Sequence, residues 1–218
     1  MADEKKRNYL AISSISMLGS CEVKFYDTMF TPRVVTRKMQ IGTDNHRKMV
    51  EKLPGISKEQ MLSDIRNGKS CAFREVFVLD QKLKTIGRMD EIRFQDGFAA
   101  DGRRRGILID DKFTRANYGG IPLYYRLQLA AYACAVENSP DFSGICTMEK
   151  AMLVCRNSVT RQVTRVFEAD EGTVGVWKSN TPEAIADGWR IYNKEKAPEH
   201  RRFDVENGEW IGCYCDSA

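Results

Sequence analysis

The sequence predicts an α/β protein in which a central mixed sheet of about five strands is flanked by helices. Three observations carry this expectation. Strand candidates follow one another over residues 71–79, 83–94 and 107–112, with turn chemistry at Asp96-Gly97 and Asp101-Gly102. A helical pattern follows over 123–137. A strand pair over 151–155 and 162–167 then leads into a further helical segment.

The chain has 218 residues, which suits one domain spanning 1–218 better than two. Its 42% hydrophobic and 29% charged content is that of an ordinary globular protein. The formal net charge of +4 permits a nucleic-acid partner without arguing for one. No apolar run is long enough to span a membrane. Residues 1–8 read as a disordered, charged tail with no apolar signal segment behind it, so the expected location is the cytoplasm. The seven cysteines are scattered and odd in number, which fits reduced thiols or metal ligands better than a disulfide framework.

The elements can be taken in order. A helix is expected from Ser13, with Ser13 or Ser14 as its N-cap and Ile15, Leu18, Val23 and Tyr26 on one stripe. Cys21 lies inside it, where a single cysteine is usually a small buried hydrophobe. Thr31-Pro32-Arg33 breaks the segment. A second helix over 35–53 carries His46 and ends at Pro54-Gly55. Ser57 and Gln60 form a capping box for a short helix that closes near Asn67, with Gly68 beyond it. On the first strand Phe73, Glu75, Phe77 and Leu79 alternate onto one face, and on the second Ile86, Arg88, Asp90, Ile92 and Phe94 do so. Each apolar face therefore contains an acid, Glu75 or Asp90.

The third strand, Ile-Leu-Ile-Asp-Asp-Lys, runs from apolar residues into charge. Alternation places Asp110 and Lys112 on one face and Asp111 on the other. Charge at the end of a core strand is a poor choice for stability alone. Glu75, Asp90 and Asp110, on successive strands, converge in an antiparallel meander, and a divalent cation is the usual remedy for such repulsion. The alternative is three unrelated strand-end positions. Arg103, Arg104 and Arg105 precede this strand and read equally as phosphate contacts or as a solvated turn. Lys24, Arg33, Arg37 and Arg115 would extend a basic path. Gln128 and Tyr132 share a face of the next helix with Tyr124 and Tyr125 nearby, and the glutamine is less easily explained as core than the tyrosines. The last helical segment is expected to break or restart at Thr181-Pro182, with Trp177, Ile185 and Trp189 toward the core. Residues 197–218 read as polar and irregular, with Trp210, Cys213 and Cys215.

The order His46, Glu75, Gly87-Arg88-Met89-Asp90, Ile109-Asp110-Asp111-Lys112, Gln128…Tyr132 resembles the PD-(D/E)XK nuclease superfamily, in particular its RecB-type branch, whose Q-x-x-x-Y helix is similar to residues 128–132. The resemblance implies a restriction-endonuclease-like fold and metal-dependent cleavage of DNA, in an exonuclease acting on single-stranded or end-containing DNA. It implies Mg²⁺ or Mn²⁺ held by Asp90, Asp110, the backbone carbonyl of Asp111 and His46, with Glu75 as a linked acid and Lys112 positioning water. Gln128 and Tyr132 would hold DNA or buttress the site. Cys21, within Cys-Glu-Val-Lys-Phe-Tyr, is similar to the N-terminal cysteine of the CRISPR-associated RecB-type (Cas four) exonucleases, which implies CRISPR adaptation proteins as partners. That family holds a [4Fe–4S] cluster with one N-terminal and three C-terminal cysteines. Here Cys21, Cys213 and Cys215 supply three of the four, and a cluster-free relative of viral or mobile-element origin fits equally well. The reading from another class is a nucleic-acid-binding module with an inactive nuclease fold.

Overall fold

A computed structural model describes residues 7–32, 34–50, 56–114 and 116–217. Expectations for 1–6, Arg33, Pro54-Gly55 and Arg115 lie outside these residues. The chain opens with β1 (Leu10–Ala11), α1 (Ile12–Ile15) and a 3₁₀ turn (Ser16–Gly19). Three helices follow: α2 (Glu22–Phe30), α3 (Arg37–Val50) and α4 (Lys58–Arg66). The antiparallel meander is β2 (Cys71–Asp80), β3 (Thr85–Phe94) and β4 (Arg104–Phe113). Next come α5 (Leu123–Asn138), β5 (Cys146–Arg156), β6 (Val163–Ala169) and α6 (Glu171–Tyr192). A hairpin of β7 (Arg201–Asp204) and β8 (Glu209–Gly212) ends the fold.

The expected sheet is present, with six strands in place of about five, the sixth being the two-residue β1. It is mixed, because β1 pairs with β3 and β4 with β5 in parallel while the other pairs are antiparallel. The core is one contiguous cluster. At its centre is α5, whose residues from Leu127 to Val136 are all buried. A helix buried all round suits its run of leucine, alanine and tyrosine.

Three expected elements differ in form. The first helix does not run through Cys21, which instead sits in extended conformation at the N-cap of α2. In α6 the helix passes through Pro182 without a break. Proline has no N–H for the carbonyl of residue 178, and the Cys134 thiol meets that Lys178 carbonyl at 3.6 Å. The C-terminal region is the β7–β8 hairpin, turned at Val205–Gly208 with Gly208 at φ +68°.

The simple alternation expected for β2 and β3 also fails. Phe73 is buried, but so are Val76 and Val78, while Phe77 is 53% exposed. On β3 the buried set changes from Thr85 and Met89 to Ile92 and Phe94. The change of phase falls around Glu75 on β2 and between Glu91, buried like Met89, and Ile92 on β3. Glu75 has φ +54°, a left-handed conformation that costs a non-glycine residue energy and is retained where surroundings enforce it.

Candidate active site

The site begins with a split in the sheet. Pairing between β3 and β4 covers only Glu91–Phe94 with Gly106–Ile109. Beyond it, Asp90 and Asp110 head away from each other's strand, and β4 remains paired only with β5. The split leaves backbone groups of β3 and β4 without ladder partners, and buried groups of that kind must be met by other means. Side chains meet them. Asp90 Oδ2 accepts the Asp111 N–H at 2.7 Å. His46 Nε2 lies 3.2 Å from the Asp111 carbonyl. The Tyr132 hydroxyl donates to the Arg88 carbonyl at 2.8 Å. Gly87 allows this approach, since a Cβ there would stand 2.7 Å from the Tyr132 ring.

His46 is held in place by α3. Its neighbour Asn45 is buried, donates to the Ser158 carbonyl at 2.7 Å and accepts from Arg161 at 3.2 Å, which ties α3 to the β5–β6 turn. The imidazole then reaches Asp90 at 3.3 Å and Glu75 at 3.6 Å. One ligand atom from each of His46, Glu75 and Asp90 lies within 4.8 Å of the others. Hydrogen bonds to Asp90 and then Glu75 raise the His46 pKa to about 10.

Asp110 stands beside this trio rather than inside it. Burial pushes its carboxyl up to about 6, against the pull of Lys112. Lys112 Nζ donates to Asp110 Oδ1 at 2.9 Å and lies over the Tyr125 ring. Burial presses the ammonium toward neutrality, but Asp110 and Asp90 outweigh it and its pKa rises. Asp111 points the other way, as alternation requires, and Arg156 Nε holds its carboxylate at 2.5 Å. Asp111 thus offers the site only its backbone. Gln128 is buried one turn before Tyr132 on α5.

The donors are carboxylates, a carbonyl and one imidazole, a set that fits a hard divalent cation. The two carboxylates also favour the charged imidazolium of His46, which has to give up its proton before the ring can serve as a ligand. Glu75, Asp90, Asp110, Asp111, Lys112 and His46 are therefore brought together around the split.

The arginines at the start of β4 are not part of it. Arg104 is fully buried, and its guanidinium donates to the carbonyls of Ile65, Lys69 and Gln95, so the expectation of phosphate contact is corrected for this residue. Arg103 pairs with Asp101 and Arg105 approaches Glu149. Arg105 lies at the opposite end of β4 from Lys112 and Arg103 just before that strand, about 20–30 Å away at the usual rise per strand residue. Arg156 was not foreseen, because nothing in a strand sequence says which charged residue an adjacent strand will receive.

A second cluster lies at the chain's ends. Cys21, His200, Cys213 and Cys215 each place a donor atom within 4.8 Å of the rest. The three cysteines expected to meet do so, and His200 joins them. Cys134 and Cys146 are core thiols that burial pushes up to about 12.

No protein-family model matches the chain, and no curated protein matches it. Solved structures do. A candidate exonuclease from Eubacterium rectale aligns over 88% of this chain and 84% of its own, with 10% identity and a TM-score of 0.51. SSO0001 aligns over 91% of this chain and 82% of its own, with 18% identity and a TM-score of 0.44. An alkaline exonuclease from Laribacter hongkongensis aligns over 86% and 89%, with 10% identity and a TM-score of 0.43. The Eubacterium likeness shows that the fold is shared. Among the described residues no helix is long and apolar enough to cross a membrane.

Proposed function

We propose that this protein is a metal-dependent deoxyribonuclease, an exonuclease acting on single-stranded or end-containing DNA. The observation that carries the proposal is the gathering of His46, Glu75, Asp90, Asp110 and Lys112 at the split between β3 and β4. The motif order and the exonuclease name of the Eubacterium neighbour support it.

Asp90, Asp110, the Asp111 carbonyl and His46 would hold Mg²⁺ or Mn²⁺. Such an ion supplies an acidified water and charge neutralisation at the scissile phosphate. Lys112, fixed by Asp110 on its own face of β4, orients the attacking water and offsets the charge that develops on phosphate oxygens. Glu75 supplies a carboxylate to the water or the ion from β2. Tyr132 is a positioning residue: its hydroxyl is committed to the Arg88 carbonyl, so it holds the strand that carries Asp90. A groove of about 740 Å³ lined by Phe73 and Phe77 meets the site at Glu75, and its Arg74 and Arg93 are paired with Glu91. The exposed Phe77 ring offers a face on which a base can stack. The finer assignment, to the CRISPR-associated RecB-type exonucleases with adaptation proteins as partners, rests on the likeness of the Cys21 segment and on the C-terminal cysteines.

The test is a cleavage assay on end-labelled single- and double-stranded DNA with EDTA, Mg²⁺ or Mn²⁺. Cleavage that requires metal and yields a ladder from the labelled end is expected. DNA binding without cleavage in either metal would replace the proposal with the inactive binding module.

A further inference from the structure

We infer that Cys21, His200, Cys213 and Cys215, with the cysteines reduced, hold a single tetrahedral zinc ion that fastens the C-terminal hairpin to the N-terminal segment. This departs from the iron–sulfur cluster that the family resemblance implies, and it does not depend on the nuclease reading.

The spacing of the donors decides between the two groups. Cys21 Sγ lies 3.3 Å from Cys213 Sγ and 3.2 Å from Cys215 Sγ, and His200 Nδ1 lies 3.2 Å from Cys215 Sγ. A tetrahedral zinc ion with bonds of about 2.3 Å to sulfur and about 2.0 Å to nitrogen sets neighbouring donors roughly 3.5–3.8 Å apart. The Cys21–Cys213, Cys21–Cys215 and His200–Cys215 pairs need to open by only about half an ångström or less, while Cys213 and Cys215, joined as a disulfide, separate on reduction. In a [4Fe–4S] cluster each cysteine binds its own iron at a separate corner of a bulky cube, so the thiolates must stand well apart. The donor set agrees with the spacing, since three thiolates and an imidazole make a closed structural zinc site.

The fold builds this site from two directions. Cys21 is buried at the N-cap of α2, where the helix dipole favours a negative donor. His200 immediately precedes β7 and Cys213 immediately follows β8, and the Cys213 N–H donates to the His200 carbonyl at 3.2 Å. The open end of the hairpin therefore presents its ligands together. The approach to α2 is fixed by Glu22, whose carboxylate is fully buried and accepts from Lys196, from Arg201 and from the Glu199 N–H. Lys196 and Arg201 also lie over the Trp210 ring, at 5.0 and 4.6 Å. These cations stand beside a site that carries net negative charge once three thiolates and zinc are in place. Cys213 and Cys215 are joined as a disulfide, and zinc takes the reduced pair, because each sulfur must bind as a thiolate.

The experiment uses the full chain purified anaerobically with reductant, analysed for zinc, iron and acid-labile sulfide. The zinc-stripped protein is then titrated with Co²⁺. A single equivalent of zinc is expected, with neither iron nor sulfide. Cobalt should give thiolate charge-transfer and tetrahedral d–d bands that saturate at one equivalent. Those bands should vanish in Cys215→Ser and persist in Asp110→Asn. His200→Cys should keep the stoichiometry and intensify the charge-transfer band, which reads the fourth ligand in a chain that still binds metal. Stoichiometric iron and sulfide, cobalt bound without thiolate bands, bands that survive Cys215→Ser, or an unaltered spectrum in His200→Cys would each overturn the inference.

Discussion

The chain contains two histidines, and each stands in a different cluster of potential metal ligands. His46 meets carboxylates at a split in the sheet, where the strands hold each donor in place. His200 meets thiols where the two ends of the chain come together. Oxygen donors with room for water suit chemistry on a phosphate, whereas a closed set of sulfur and nitrogen donors suits a fastener. The same residue type therefore stands in two different donor sets, and the roles proposed for the two differ because the partners do.

The sharpest way to separate the two clusters is to disable each in turn. Asp110→Asn and Lys112→Ala are expected to reduce cleavage by about 10²–10³-fold or more, with thermal stability near that of the parent. Cys215→Ser should do the reverse: a lower melting temperature, and cleavage within about tenfold of the parent when assayed cold, as expected for a site that holds the fold without touching the reaction.

The two ends of β4 give a second contrast. Arg104→Met leaves three carbonyls near α4 without their donor and should cost about 3 kcal/mol or more in urea unfolding. Arg103→Ala and Arg105→Ala, from more exposed ion pairs, should each stay within about 0.5 kcal/mol. Gly87→Ala forces the Tyr132 ring away from β3 and should cost about 1–3 kcal/mol, with weaker cleavage because Asp90 lies on the same strand.

A contrast in backbone strain concerns Glu75. Its left-handed backbone is strained, so Glu75→Gly should be about 1 kcal/mol more stable than Glu75→Ala in thermal or urea unfolding. Both should lose activity, since both lack the carboxylate. Equal stability of the two variants would remove strain from the description of β2.

The sheet, α4, α5 and the acid–acid–lysine end of β4 were legible because each follows from periodicity, caps or turns within a few residues. Leu123–Asn138 lies within a residue of the expected helix, and Ser57 caps α4 by accepting from the Gln60 N–H. The nearness of Glu75 and Asp90 followed from their places on adjacent strands of the meander, whereas the structure gathers them with His46 and sets Asp110 beside that trio. What was hidden depends on distant chain. The change of face at Glu75 arises from a backbone conformation that alternation cannot register. Arg104 reads as surface charge until α4 and the β3–β4 connection place three carbonyls around it. Pro182 reads as a helix break until Cys134, on another helix, meets the carbonyl it frees. His200 carries no local signal, because its partners Cys21 and Cys213 come from another segment and from the far side of a hairpin.

The most direct test of the nuclease assignment is single-turnover cleavage of end-labelled DNA by Lys112→Ala beside the parent, with DNA affinity measured on the same preparations. The expected result is unchanged affinity and a loss of about 10²–10³-fold in the metal-dependent rate. Cleavage at the parent rate in Lys112→Ala would place the chemistry elsewhere and leave the split between β3 and β4 as a structural feature only.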